Sequence, residues 1–303
     1  MKKKKVAIQG GPGCNHEIAA RAFFENEEIE IIPCISFQEL FDTLHNDKSI
    51  YGIVAIENTL AGSLLPNYTM LRESDLKIIG EYKLRIKHNL MALPGQDLSD
   101  IKEVQTHPMA LAQTEVFFKQ HKDIKLIATE DTALSAKHIA DNKLSGVAAI
   151  ASELAAEIYG LDIIAHGIET NKKNFTRFLI VTDHAKTEID ELLVNGKVNK
   201  ASLVFALPHE EGSLSKILTI LAFYNINLTK IQSLPIIGHE WEYLFYIDVA
   251  FDDYTRYLQS LDAIRPLCRK LKVMGEYEKG KQSYEPNGAE AAVTGSSKPE
   301  AGS

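Results

Sequence analysis

The chain has 303 residues, a formal net charge of −8, 45% hydrophobic residues and 24% charged residues. This length accommodates two domains with separate hydrophobic cores. A negative protein repels the phosphate backbone of nucleic acids, and the sequence contains no local basic patch that could offset the repulsion. Nucleic-acid binding is therefore excluded as a function.

The distribution of apolar residues predicts neither export nor a membrane span. Lys2 to Lys5 are followed by a short apolar run, which Gln9 interrupts well before the core of a signal peptide is complete. No other segment is long enough to cross a membrane. Three cysteines, Cys14, Cys34 and Cys268, lack the spacing of metal or redox sites, which is typical of the reducing cytoplasm. We predict a cytoplasmic protein without a bound metal.

Short β-branched runs alternate with helical patterns over residues 1–183. This alternation predicts an α/β domain with mostly parallel sheets. The predicted strands and the helices that follow them are 5–9 and 17–25, 52–56 and 65–72, 103–105 and 109–120, 125–128 and 132–142, and 146–150 and 152–159.

The remaining residues predict a linker, a second domain and a tail. Residues 184–199 are polar and indicate a linker with one helical turn. Residues 200–277 carry predicted strands at 201–207, 228–234, 243–250 and 272–277 and predicted helices at 213–223 and 254–267. The order βαββαβ is that of a ferredoxin-like α+β domain. Residues 278–303 contain almost no large apolar side chain, which predicts a disordered tail.

Polar turns follow four of the strands predicted in the first domain. They cover residues 10–17, 57–63, 106–108 and 129–133. In open α/β sheets ligands bind beyond the carboxyl ends of strands, where the next helix presents unpaired N–H groups. Helix capping explains any one of these turns, and His107 in particular, but together they predict a cleft for a small organic anion such as a carboxylate. The glycines of the first turn permit close approach to a ligand, yet they lack the spacing of a nucleotide loop.

A fifth polar segment, Asn174 to Phe178, opens an apolar strand. Packing alone does not require a hydroxyl and a guanidinium at this point, although a strand whose first residues are still solvated would also tolerate them. On a regular strand Asn174 and Thr176 share one face, and Arg177 points to the other.

Six motifs in register resemble those of prephenate dehydratases. They are GGPGCNHE (10–17), AIENTLAGS (55–63), THPMALAQ (106–113), DTA (131–133), YGL (159–161) and NFTRF (174–178). The ferredoxin-like region resembles the ACT regulatory domain that follows the catalytic domain in this family, with EGSLS (211–215) and INLT (226–229) in the expected places. The likeness covers residues 5–277.

The resemblance implies a two-lobed catalytic domain, similar to type II periplasmic binding proteins, at residues 1–183. It implies the decarboxylating dehydration of prephenate to phenylpyruvate in L-phenylalanine biosynthesis, without a cofactor. Thr176 is the implied catalytic residue, and we expect its hydroxyl to donate a hydrogen bond to the departing hydroxyl group. The implied substrate-binding residues are Asn58, Thr59, Thr106, Gln113, Thr132, Ala133, Asn174, Arg177 and Phe178. Arg177 either bends toward a substrate carboxylate or forms a structural ion pair.

The resemblance also implies feedback inhibition by L-phenylalanine in a homodimer or homotetramer. The residues implied to bind this effector are Gly212, Ser213, Leu214, Asn227, Leu228 and Ser233. In the segment 232–235 this chain reads QSLP where the family reads ESRP, so Leu234 replaces an arginine. An ACT domain that only dimerises is the alternative. Asn15 and His16 also stand where an aromatic or hydroxyl residue is more usual.

Two other functions fit the same residues. Arogenate, which bears an ammonium group where prephenate has a keto group, is an alternative substrate. A two-lobed sensor of small anions is an alternative protein class, since one architecture serves both. Because the first predicted strand begins almost at once, we expect a monofunctional enzyme without the chorismate mutase domain of some relatives.

Overall fold

The computed structural model of the chain describes residues 3–183, 195–208, 210–236 and 243–283. Residues 184–194 of the predicted linker and residues 284–303 of the predicted tail lie outside this description. Two sheets organise the fold, one of ten strands and one of five.

The secondary structure elements follow one another through two lobes and a C-terminal domain. The first lobe begins with β1 (Lys4–Gln9), α1 (Asn15–Phe23), β2 (Ile29–Cys34), α2 (Phe37–Asn46), β3 (Tyr51–Asn58), β4 (Gly62–Ser63), α3 (Leu65–Glu73) and β5 (Lys77–Arg85). The second lobe comprises β6 (Asn89–Ala92), β7 (Glu103–Thr106), α4 (Pro108–Gln113), α5 (Glu115–Phe118), β8 (Lys125–Ala128), α6 (Thr132–Asn142), β9 (Val147–Ala151), α7 (Glu153–Tyr159) and β10 (Asp162–Ala165). Strand β11 (Phe175–Thr182) returns to the first lobe, and the C-terminal domain contains β12 (Lys200–Leu207), α8 (Ser213–Phe223), β13 (Asn227–Pro235), β14 (Tyr243–Ala250), α9 (Tyr254–Ile264) and β15 (Arg269–Tyr277).

The sheets of the two lobes are mixed, so the predicted mostly parallel arrangement is wrong. Strand β1 pairs in parallel with β2 and β3, and β7 pairs in parallel with β8 and β9. Strand β11, however, lies antiparallel between β3 and β5, and β6 lies antiparallel between β9 and β10. Two parallel neighbours in a sheet must be joined by a crossover connection. Strands β6 and β11 instead enter their sheets from the other lobe, and each runs antiparallel to its neighbours.

The predicted helix at 109–120 is divided into α4 and α5 at Thr114. The side chain of Thr114 is fully buried, and its hydroxyl donates to the carbonyl of Ala110 at 2.8 Å. A Thr hydroxyl that bonds back to the preceding turn competes with the regular helical ladder. The short α4 therefore ends at Gln113, which leaves that side chain at the helix terminus.

The lobes touch behind the cleft, where the first polar turn packs against α7. The Ser152 hydroxyl donates to the carbonyl of Gly13 at 2.5 Å, and the Tyr159 hydroxyl donates to the carbonyl of Pro12 at 2.9 Å. A Cβ at Gly13, whose φ is +87°, would lie 2.7 Å from the Cα of Ala155. The glycine at position 13 thus permits contact between lobes rather than the predicted approach to a ligand.

The C-terminal domain has the βαββαβ element order that the sequence predicts. Its strands lie in the order β13-β14-β12-β15, and each neighbouring pair is antiparallel. Helices α8 and α9 pack on one face through a core that includes Phe205, Ile217 and Tyr257. No helix within the described ranges is both long and apolar enough to cross a membrane.

The C-terminal domain continues the sheet of the first lobe through β15 and β5. Gly275 pairs with Ile78 in parallel, and a second core, which includes Val204, Tyr246 and Leu179, lies beside this joint. The contact is too close for a side chain, because a Cβ at Gly275 would lie 2.1 Å from the Ile78 carbonyl oxygen. Glycine is therefore required where the two domains meet.

Residues 278–283 correct the predicted start of the disordered tail. The Lys83 amide donates to the carbonyl of Lys281 at 3.1 Å, and the Ser283 amide donates to the carbonyl of Lys83 at 2.9 Å. The hydroxyl of Ser283 also accepts from the Arg85 amide at 2.7 Å. Backbone pairing with the edge of β5, and not apolar burial, holds this segment, which is why composition misses it.

We expect Gly275→Ala to lower the free energy of unfolding by about 1 to 3 kcal/mol, because the new Cβ forces β15 away from β5. Urea unfolding followed by circular dichroism measures the effect. Lys279→Ala, at an exposed position close by, should leave the urea midpoint within error. Equal midpoints for Gly275→Ala and wild type would show that the joint does not depend on this close approach.

Candidate active site

A cavity of about 550 Å³ opens between the two lobes. It is lined at the C-terminal ends of β1 and β3, at the start of β11 and at the starts of α1, α2, α4 and α6. The polar segments of the sequence predict all of these except the start of α2. Another cavity, of about 430 Å³, lies between α1 and residues 278–281 and holds none of the predicted site residues that the structure describes. The cleft between the lobes is therefore the candidate active site.

Helices α1, α2 and α6 begin at the lining of the cleft. The lining includes Asn15 and His16 from α1, Ser36 and Phe37 at the start of α2, and Thr132 from α6. The N-terminus of a helix carries unpaired N–H groups and a partial positive charge. The cleft is thus suited to a carboxylate, in agreement with the sequence.

The helix N-termini, and not basic side chains, are the groups of the described lining that favour an anion. Among the described residues that line the cleft, none is Lys or Arg, whereas Glu130 and Asp131 are acidic. The Asp131 carboxylate accepts from the Leu134 amide at 2.8 Å and so caps α6. Burial raises the pKa of Asp131, although backbone N–H groups partly oppose the rise.

Asn58 orients the Thr176 hydroxyl. The Asn58 side-chain oxygen accepts from the amides of Leu60 at 2.9 Å and Ala61 at 3.0 Å, which fixes the orientation of the amide group. The Asn58 nitrogen then donates to Thr176 Oγ1 at 3.0 Å. Within the described residues the Thr176 hydroxyl hydrogen has no acceptor. The hydroxyl is therefore available to donate to a ligand in the cleft.

A chain of amide groups extends from Asn58 across the floor of the cleft. Asn58 Nδ2 donates to Asn174 Oδ1 at 2.7 Å, and Asn174 Nδ2 donates to Gln113 Oε1 at 2.8 Å. Since Gln113 Oε1 can only accept, His88 Nε2, at 2.7 Å, carries the proton of that imidazole. The Gln113 nitrogen donates to no described residue, and its side chain lines the cleft. Gln113 thus offers a second donor to a ligand.

His16 is a neutral, buried imidazole in the lining of the cleft. Its ring makes edge contacts with Phe178 and Phe37, at centroid distances of 4.9 and 5.5 Å. Burial lowers the pKa of His16 to about 3, and its Nε2 has no hydrogen-bond partner among the described residues. The nearby Cys14 thiol also stays uncharged, because burial raises its pKa to about 12.

The structure places the predicted catalytic residue, Thr176, and only some of the predicted substrate-binding residues on the cleft surface. Asn58, Gln113, Thr132, Thr176 and Phe178 line the cleft. The buried Asn174 lies just behind this surface, where it joins Asn58 to Gln113.

Three other predicted residues do not line the cleft. Thr106 is fully buried and donates to the carbonyl of Ile150 at 2.7 Å. Thr59 is exposed and donates to the carbonyl of Lys173 at 3.1 Å. Ala133 is fully buried in the core. The two threonines hold strand ends in place, because small polar residues at turns serve the backbone as readily as a ligand.

Arg177 points away from the cleft, so its assignment as a substrate ligand is corrected. Its Nε donates to Glu81 at 2.6 Å, and its Nη1 bonds Asp248 and lies 3.3 Å from Glu57. The alternation of side chains along β11 puts Arg177 on the face opposite Thr176. Of the two roles that the sequence leaves open for this side chain, the structural ion pair is the one that the geometry shows.

Six charged residues form a cluster at the joint, three positive and three negative. The interdomain ion cluster consists of Glu57, Glu81, Arg177, Lys200, Lys230 and Asp248. Burial opposes the ionisation of Glu81, but Arg177 and Lys200 outweigh it and lower its pKa to about 2. Burial also works against the charge of Arg177, yet Asp248 and Glu81 raise its pKa well above the usual value.

Sequence reasoning missed His88 and the start of α2. His88 lies between β5 and β6, which have no clear strand pattern in the sequence. The start of α2 does carry a signal, since Ser36 accepts from the Glu39 amide at 3.2 Å and Glu39 bonds the Ile35 amide. A Ser followed three residues later by Glu is typical of a helix N-terminus.

The predicted effector-binding residues lie in the C-terminal domain. Gly212, with φ of +76°, is the N-cap of α8, and Ser213 and Leu214 are its first residues. Asn227, Leu228 and Ser233 lie on β13, the edge strand of the large sheet. In the described ranges no group of three His, Cys, Asp or Glu side chains could hold a metal ion.

A family model described as prephenate dehydratase matches residues 6–186. An Arabidopsis thaliana protein named arogenate dehydratase/prephenate dehydratase 2, chloroplastic, is 36% identical over 285 residues, which cover 90% of this chain and 72% of that protein.

Two solved structures resemble the fold over most of the chain. GqqA, described as a novel type of quorum quenching acylase, has a TM-score of 0.80 and 27% identity, with 91% of this chain and 98% of that one covered. Prephenate dehydratase from Arthrobacter aurescens in complex with L-Phe has a TM-score of 0.77 and 26% identity, with 91% and 90% covered.

The buried imidazole of His16 predicts a pH dependence of stability. Below pH 6.5 the unfolded chain protonates His16, whereas the folded protein keeps it neutral down to about pH 3. The free energy of unfolding therefore falls as the pH drops through this window. We expect the loss between pH 7 and pH 5 to be smaller in His16→Phe by about 2 kcal/mol, measured by urea unfolding. The exposed His138 provides the control, because His138→Phe should keep the wild-type pH dependence. An unchanged pH dependence in His16→Phe would contradict the neutral state of this side chain.

Proposed function

The chain belongs to the prephenate dehydratase family, and we propose that its cleft converts prephenate to phenylpyruvate in L-phenylalanine biosynthesis. The Thr176 hydroxyl carries this proposal, because its oxygen accepts from Asn58, its side chain lines the cleft, and its hydrogen has no acceptor among the described residues. A relative named arogenate dehydratase/prephenate dehydratase 2 supports the same reaction class.

The reaction needs an oriented dicarboxylate and help for a leaving hydroxyl. The ring carboxylate departs as carbon dioxide, and the electron pair of the broken C–C bond enters the ring, which becomes aromatic as hydroxide leaves. The hydroxide takes up one proton and becomes water. Thr176 donates a hydrogen bond to this oxygen as negative charge develops on it, so it stabilises the transition state more than the bound substrate.

The remaining lining residues hold the substrate in position for this step. The N-termini of α1, α2 and α6 and the free Gln113 amide bind carboxylate oxygens. The aromatic rings of Phe37 and Phe178 form an apolar surface against which the substrate ring packs. Orientation of the two leaving groups supplies most of the acceleration, since the product ring is aromatic and the reaction is downhill.

Arogenate is the second candidate substrate, and two acidic residues of the cleft lining favour its binding. Glu130 and Asp131 lie in the cleft, where the described lining contains no basic side chain. A carboxylate beside the substrate side chain attracts the ammonium group of arogenate but not the keto group of prephenate.

Feedback by L-phenylalanine, in an ACT-type regulatory domain, is part of the proposal. The Arthrobacter aurescens relative in complex with L-Phe supports it. Within one chain Gly212 and Asn227 lie near opposite ends of α8, whose 11 residues span roughly 16 Å. One amino acid cannot reach both ends, so a complete site requires two chains, with α8 of one copy beside β13 of the other. We infer a homodimer as the smallest regulated unit.

Leu234, which replaces the family arginine, lies at the inner face of the C-terminal domain. It is partly buried and packs against the core beside the joint with the first lobe. At this position the chain therefore stabilises the joint through apolar contact instead of charge.

We expect Thr176→Val to lower kcat for prephenate about 100-fold, because Val keeps the shape of Thr and removes the donor. Thr176→Ser keeps the donor and should retain kcat within about tenfold of wild type. Formation of phenylpyruvate, followed by absorbance, gives both values, and urea midpoints confirm that the fold is intact. Near-normal kcat in Thr176→Val would remove this hydroxyl from the mechanism.

A comparison of kcat/KM for prephenate and arogenate tests the choice of substrate, and we expect prephenate to have the higher value. Asp131→Asn keeps a residue that caps helices well while it removes the negative charge. Any turnover of arogenate should therefore fall more in this variant than turnover of prephenate. Tight binding of both compounds without turnover would instead indicate a two-lobed sensor.

A further inference from the structure

Lys230 of the C-terminal domain reaches across the joint to the strand that carries Asn58. Its ammonium group pairs with Glu57 of β3 and donates to the hydroxyl of Ser63 in β4 at 3.1 Å. It also lies 5.5 Å from the centre of the Tyr68 ring. Only 13% of the Lys230 side chain is exposed, so water screens this pair weakly.

Glu57 directly precedes Asn58, the residue that orients the catalytic hydroxyl. Its other carboxylate oxygen lies 3.3 Å from Nη1 of Arg177, and Arg177 directly follows Thr176. Strands β3 and β11 pair Asn58 with Thr176 and Glu57 with Arg177. Any shift of Glu57 along β3 therefore moves the Asn58 amide relative to Thr176.

A bulge in β13 separates Lys230 from Asn227 and Leu228, two of the predicted effector residues. The pairing of β13 with β14 shifts between Leu228 and Lys230. Leu228 packs into the core under α8, whereas Lys230 contacts the first lobe. A β-bulge changes the face of the sheet to which the following side chains point. The short segment from Leu228 to Lys230 therefore connects the face that packs against the helices to the catalytic domain.

We propose that Lys230 is the positioning residue through which the C-terminal domain controls the catalytic hydroxyl. An effector held at Asn227 and Leu228 alters the bulge, and the bulge sets the contact of Lys230 with Glu57. That contact fixes Asn58 and, through it, Thr176. This inference rests on the proposed regulation by phenylalanine, and it names the side chain that transmits it.

Coupling between two binding sites is reciprocal. If the pair of Lys230 and Glu57 carries it, bound substrate weakens the binding of phenylalanine by the same factor by which phenylalanine weakens the binding of substrate. Removal of the pair should abolish both effects while each site still binds its own ligand.

The test uses the full-length chain with Lys230→Met, which keeps the aliphatic stem and removes the charge. The measured quantity is the ratio of kcat/KM for prephenate without and with saturating phenylalanine, with kcat and KM reported separately. We expect the ratio to fall about tenfold toward one, while calorimetry still detects phenylalanine binding. Lys230→Arg restores a cation opposite Glu57 and should recover most of the ratio.

Lys272→Met is the matched control. Lys272 also crosses the joint, where it donates to the carbonyls of Arg72 and Ser74 at 2.8 Å, and neither of these acceptors lies on β3 or β11. Its loss loosens the joint at the C-terminal end of α3 and should leave the ratio unchanged. An equal drop in Lys272→Met would overturn the role of Lys230, because general docking of the domain would then explain the coupling.

The outcomes separate this inference from the proposed regulation. If wild type neither binds phenylalanine nor responds to it, the proposed regulation fails. If wild type responds and Lys230→Met responds equally, the regulation stands and the inference is overturned. If Lys230→Met unfolds at the assay temperature, Lys230→Gln is measured in the same way, since it keeps a donor without the charge.

Discussion

The architecture depends on burying the guanidinium of Arg177 between two domains. Moving a charge from water into a protein interior costs several kcal/mol, and one partner seldom offsets that cost. Here Glu81 and Asp248 each bond the guanidinium, and the Tyr277 hydroxyl accepts from it at 3.2 Å. Asp248 and Tyr277 belong to the C-terminal domain, so the charge is satisfied only when that domain is docked. Loss of one partner would leave a buried charge without compensation, which makes the docked geometry specific.

The proposed catalytic hydroxyl and the joint between the domains share two strands. On β3 and β11, Asn58 and Thr176 face the cleft while their neighbours Glu57 and Arg177 face the joint. The alternation of side chains along a strand thus places a neutral hydrogen-bonding pair on one side and an ionic pair on the other. The guanidinium of Arg177 is paired with carboxylates on the joint side, so it is not available to a ligand in the cleft.

Sequence patterns predicted the features that depend on residues close together in the chain, such as turns and the alternation of side chains along a strand. The polar turns after β1, β3, β7 and β8 do meet at the cleft, and Thr176 lies where strand alternation places it. The partners of Arg177 are 96 and 71 residues away along the chain, and no spacing rule reveals such contacts. The same applies to residues 278–283, whose backbone pairs with a sheet edge that the sequence does not mark. Thr106 and Thr59 carry the same side chain as Thr132, and only the packing around each decides which one faces a ligand.

The pairing of residues 278–283 with β5 also affects how the chain folds during its synthesis. Strand β5 leaves the ribosome early, but β11, its partner on one side, ends at residue 182. On the other side β5 pairs with Gly275 of β15 and with residues 281–283. Chains are made and folded from the N-terminus, so the first lobe must wait for residues near the far end of the chain. Until then β5 presents open hydrogen-bonding groups to any other strand. The first lobe is therefore synthesised first but gains its last strand pairing only when residues 281–283 are made. A chain truncated before residue 279 would leave part of β5 unpaired.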